Sequence, residues 1–148
     1  MEQDAESRGV AVCALLMVLA LWTIGVVASE QIRHIVQTLP LLFVVALGFR
    51  KSPWTKWAAL PCFIFWDLIA VLIWLYLLGV SRIVRGHYSP TEIAMTIVFA
   101  TAGFVGIYLS LRTRSGLKVA AAIAGFVLFA ALQFAAMKIS LLPAIAHR

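Results

Sequence analysis

Five apolar runs alternate with short polar breaks along this chain, and the pattern predicts membrane-spanning helices. The first runs from Gly9 to about Ala28 and carries no charge. The second runs from about His34 to Phe49, the third from Trp57 to Val80 and the fourth from Ile93 to Leu111. The fifth runs from Val119 to about Met137, with an extension toward Leu142. Crossing the hydrocarbon takes ~20 helical residues. The second run approaches that length only if its helix begins at Ile32 and takes in Arg33 and His34, and Pro40 interrupts it. Proline is tolerated in membrane helices because neighbouring groups take over the freed backbone. The expected fold is an all-α integral membrane bundle of about five transmembrane helices, one transmembrane domain over residues 1–148. The alternative is four spans plus a re-entrant second segment.

The breaks favour tight helical hairpins. Ser29 to Arg33 is a short polar turn, and Ser52-Pro53 stops one helix and begins another. Ser89-Pro90-Thr91-Glu92 reads as a helix start: Ser89 at the N-cap, Pro90 at the first helical position, Glu92 closing a capping box. Arg112 to Gly116 is the last polar turn.

Composition strengthens the membrane reading. Hydrophobic residues make up 64% of the chain, against ~45–50% in soluble domains. A soluble fold of this length leaves too much of its surface in water to hide them. Val26, Ala28 and Ser29 resemble a signal-peptidase site. The segment Glu2 to Arg8 is net acidic, however, and the run after it exceeds the ~7–15 residues of a signal sequence, so this helix is expected to be retained.

The net charge of +6 changes the picture less than it first suggests. The basic residues fall in the short breaks, where membrane topology accounts for them, and no nucleic-acid partner is expected. With five spans, one side holds Arg8, Arg50, Lys51, Lys56, Arg112, Arg114 and Lys118, and the other holds Arg33, Arg82, Arg85, Lys138 and Arg148. The richer side belongs in the cytoplasm, which places the N-terminus inside. The compact loops suit a bacterial inner membrane. Trp54 and Trp57 fit an aromatic belt at the inner interface, and Tyr88 fits the outer one.

Asp67 is the most informative residue. It lies near the middle of the third run, and a carboxylate at a helix centre costs ~2.5–3.5 kcal/mol to insert. The folded state must solvate it or leave it protonated. By helical rise, Thr101 of the antiparallel fourth run falls at nearly the same depth, beside Ala100, Ala102 and Gly103. Thr23, Gln37, Thr38 and Gln133 fall roughly 6 Å further out. The functional expectation is a polar pocket, open to the outside, with Asp67 at its floor. The bland expectation is that Asp67, neutral or hydrogen-bonded to Thr101, fastens helices together, and that Gln37 and Gln133 make ordinary interhelical bonds. The binding candidates are Asp67, Thr101, Gln37 and Gln133; no catalytic residue is assigned.

Other chemistry is sparse. Cys13 and Cys62 lie in apolar runs without a C-x-x-C. His34, His87 and His147 share the outer side with Glu30 and Glu92, but no local spacing suits a metal, and loose surface histidines are expected. No metal and no cofactor are expected, and no G-x-S-x-G, H-E-x-x-H or phosphate-binding glycine loop occurs. Ala102 with Gly106, and Ala121 with Gly125, give the small-xxx-small spacing of close helix contacts. The leading expectation is a non-enzymatic, helix-packing component of a membrane assembly, surrounded by membrane lipids and forming a homo-oligomer or binding a membrane-protein partner. The alternatives are a small transporter or channel subunit using Asp67 for a cation or proton, and a membrane enzyme acting on lipid or quinone.

Overall fold

The computed structural model describes residues 2–84 and 86–146. Arg85, His147 and Arg148, counted above on the outer side, lie outside them. Among the described residues the chain is all-helical: α1 (Glu2–Val27), α2 (Gln31–Phe49), α3 (Thr55–Leu77), α4 (Pro90–Arg112), α5 (Val119–Ser140) and a final turn, α6 (Pro143–Ala146). The first five are long and apolar enough to cross a membrane. α2 is one continuous helix through Pro40, so the re-entrant alternative falls away.

Three of the four turns between the long helices share one cause. After α1, α2 and α3 the chain turns through a left-handed residue: Ser29 at φ 58°, Lys51 at φ 54° and Gly79 at φ 74°. At each, the next amide reaches back to a carbonyl of the final turn: Glu30 to Gly25 at 2.8 Å, Ser52 to Leu47 at 2.9 Å and Val80 to Leu75 at 2.8 Å. These Schellman closures satisfy carbonyls that would otherwise lack donors. The closure at Gly79 ends α3 at Leu77, three residues before the apolar run itself ends at Val80. α4 starts as the sequence predicts. The Glu92 amide donates to Ser89 Oγ at 3.3 Å, and the Ser89 amide donates to Glu92 Oε2 at 2.7 Å, with Pro90 in the first turn.

α1 begins seven residues before its apolar run. Its acidic first turns explain why: carboxylates suit a helix N-terminus. Asp4 pairs with Lys51, and Glu6 pairs with Arg112 at 3.4 Å. Ser7, buried, donates to the Gly48 carbonyl at 3.1 Å. These contacts, with Lys56 donating to the Leu111 and Thr113 carbonyls, gather the N-terminus and the α2–α3 and α4–α5 turns at one end of the bundle. Gly25 against His34, and Tyr76 against Tyr88, mark the other end. The helices therefore alternate in direction, as five spans require.

The helices form a circuit in the order α1, α2, α5, α3, α4, with α3 also touching α1 and α2 across the middle. α1 turns Val10, Ala14, Met17, Val18 and Leu21 into the core at helical spacing, toward Leu41, Val44, Cys62, Phe63 and Phe99. Outward faces are as apolar as the core, with Phe43, Leu68, Phe104 and Phe134 all exposed. Lipid tails solvate such faces as well as a protein interior does, so association rests on close packing instead. Glycines supply it: a methyl at Gly48 would meet Ala11 Cβ at 2.7 Å, and one at Gly106 would overlap the Phe63 ring.

Candidate functional site

Asp67 sits in the seam between α3 and α4, 5% exposed. Its neighbour across the seam is Gly103, whose missing side chain leaves the space that the carboxyl group fills. One turn toward the end of the bundle that holds the N-terminus, Phe63 packs on Gly106 in the same way. Neither carboxyl oxygen has a hydrogen-bond partner. The adjacent Trp66 Nε1 is likewise buried without an acceptor, its ring held edge-on by Phe65 and Phe99.

Thr101 does not serve Asp67. Its hydroxyl donates to the Ile97 carbonyl of its own helix at 2.8 Å, and the residue faces outward. Gly103, not Thr101, is the α4 residue that faces Asp67. Thr101 lies two residues from Gly103, about 200° around a helix that turns 3.6 residues per cycle. A threonine in lipid satisfies itself most cheaply by bonding back one turn.

The other candidates assemble elsewhere. Gln133 Nε2 on α5 donates to the Gln37 carbonyl on α2 at 3.0 Å. That carbonyl lies within the turn preceding Pro40, where the proline removes one backbone donor and pushes nearby carbonyls aside. Gln37 Nε2 in turn donates to Ser140 Oγ at 2.9 Å and approaches Met137 Sδ at 3.4 Å. Gln133 Oε1 remains buried without a donor. Thr38 accepts from Trp22 Nε1 at 2.9 Å, tying α1 to α2. Thr23 is exposed and donates to its own Leu19 carbonyl at 2.9 Å. None of these side chains is therefore bonded to Asp67. The glutamines meet each other in the α2–α5 contact, and Asp67 stands apart in the α3–α4 seam.

Ser140, Trp22 and Ser7 were missed as partners. Ser7 lies before the first apolar run and Ser140 beyond the fifth, where polarity reads as loop. By helical rise Ser140 lies about 10 Å beyond Gln133, so a depth register alone does not pair it with Gln37; the Gln37 side chain reaches out to it.

Between α3 and α4, just past Asp67, the seam opens into a lipid-facing groove of about 370 Å³. Ala70, Val71, Trp74, Ile97, Thr101 and Phe104 are among the residues that line it. At the outer end, Glu30 and Arg33 pair at 2.7 Å, and Arg33 Nε is left buried without an acceptor. His34 is not a loose surface residue: its ring is half-buried against Gly25, with Nδ1 2.9 Å from the Glu30 carbonyl. Partial burial, then the Glu92 carboxylate, pushes the Tyr88 hydroxyl above its ordinary pKa. Among the described residues no group of three or more His, Cys, Asp or Glu could hold a metal ion. Cys13 and Cys62 are free, buried thiols.

Fold and site together define a polytopic α-helical membrane bundle with one unpartnered acid in an interhelical seam. Comparison with protein-family models, with curated proteins and with solved structures found no match.

Proposed function

We propose that this chain is a non-enzymatic component of a membrane assembly, with its N-terminus in the cytoplasm of a bacterial inner membrane. The observation that carries the reading is how Gln37, Thr38, Gln133 and Ser140 use their polarity: each is spent on a bond between or within helices rather than aimed at a shared cavity. Such bonds fix the register of neighbouring helices. Among the described helices α5 packs on α2, α3 and the short α6, which leaves most of its apolar surface for lipid, a second copy or a membrane-protein partner. The basic residues gathered at the N-terminal end support the orientation.

The test is reconstitution of the purified chain in liposomes, with ion and proton flux measured alongside self-association by energy transfer between labelled copies. Association without flux is expected. Flux abolished by Asp67→Asn would replace this reading with the second one: a small transporter or channel subunit carrying a cation or proton at Asp67. One observation favours that second reading, namely that both Asp67 oxygens are buried and unpartnered. Intramembrane acids are costly and mark ion or proton pathways more often than other positions do.

A further inference from the structure

We propose that the α3–α4 groove, one helical turn beyond which lies Asp67, binds a lipophilic monovalent cation that enters sideways from the bilayer. The inference concerns the same Asp67 as the second reading above and names its ligand class, although binding from the bilayer does not itself require flux. Asp67, Val71, Trp74 and Leu78 recur at helical spacing along one stripe of α3. Val71, Trp74 and Leu78 line the groove, and Asp67 continues the stripe one turn beyond. Across it, Ala100, Thr101 and Phe104 line the groove on α4, flanking the Gly103 against which the carboxyl rests.

Charge and shape point to the same occupant. A hydrocarbon chain fills an apolar groove but leaves the two Asp67 oxygens as they are. A hydrated metal ion would lose its water to apolar walls with nothing in return, since Thr101 is the one hydroxyl among the groove-lining residues and is bonded to Ile97. A cation with apolar substituents satisfies both surfaces. Its charge meets the carboxylate, which turns from Gly103 toward the groove, and the Trp74 ring attracts its positive face. The groove opens to lipid, where such a molecule is already concentrated, so no aqueous path through the bundle is required.

The probe is tetraphenylphosphonium, measured by equilibrium dialysis against the full chain in nonionic detergent. Saturable binding is expected. Asp67→Asn should weaken it by about a hundredfold, since it removes one partner of a buried ion pair. Trp74→Leu should weaken it by about tenfold. Ala100→Phe, which fills the groove while leaving the acid, should abolish it. Gel filtration of each variant establishes that the bundle remains folded. Absence of saturable binding to the wild type overturns the proposal, and so does binding that Asp67→Asn and Ala100→Phe both leave unchanged. Phospholipid competition equal in the wild type and Asp67→Asn would assign the groove to an acyl chain and also overturn it. Proton flux in liposomes separates the two claims. Asp67-dependent flux without phosphonium binding sinks the ligand class alone, whereas loss of both sinks the cation reading with it.

Discussion

The carboxyl group of Asp67 rests on the Cα of Gly103: a methyl group added at 103 would lie 2.7 Å from the carboxyl carbon. An acid in the membrane thus takes its space from a glycine on the facing helix. The seam closes only while that glycine lacks a side chain.

Gly103→Ala should therefore destabilise the bundle by ~1–3 kcal/mol, the usual cost of overpacking a tight contact. Gly116→Ala is the control, because nothing lies within 4 Å of a methyl placed there. Thermal denaturation in detergent should show a lower midpoint for the first and little change for the second. Equal midpoints would mean that the seam is looser than described.

The bond between Gln37 and Ser140 joins the outer ends of α2 and α5. A double-mutant cycle with Gln37→Leu and Ser140→Ala should give a coupling of ~0.6 kcal/mol, the average for polar pairs in membrane bundles. Unfolding with a mixed-micelle denaturant measures it. A coupling of zero would show that the two side chains act independently.

Ser29 adopts a left-handed conformation at φ 58° without being glycine. Ser29→Gly should raise stability by about 1 kcal/mol, because a side chain at such a position crowds the following carbonyl. No side-chain hydrogen bond of Ser29 stands to be lost among those described. A lower melting midpoint would reverse this account of the α1–α2 turn.

Ser89→Ala removes the hydroxyl that accepts from the Glu92 amide and donates to Glu92 Oε2 at 2.6 Å. The expected loss is ~1 kcal/mol. Amide exchange should rise first in the opening turn of α4, and uniform exchange along the helix would argue against a local capping effect.

Topology can be read with thiol reagents, because Cys13 and Cys62 are buried. Ser52→Cys and Gly86→Cys place one accessible thiol in each of two turns at opposite ends of the bundle. An impermeant maleimide applied to oriented vesicles should label one and spare the other. Labelling of both from one face would contradict the alternating arrangement.

Sequence alone determined the number and course of the helices. Lipid removes water from every backbone group it touches, so an apolar run of sufficient length has little choice but a helix, and the polar breaks must fall outside. The capping box at Ser89 is equally local, since its partners lie three residues apart. Depth was legible too: a fixed rise per residue placed Asp67 level with Thr101 and Gln37 near Gln133. Which way each side chain turns around its helix was not legible. Both faces of these helices are apolar, so hydrophobicity gave no azimuth and could not say that Asp67 meets Gly103 while Thr101 faces lipid. Only the packing of five helices, set by small residues that fit where larger ones would clash, decided which polar groups found partners and which acid was left without one.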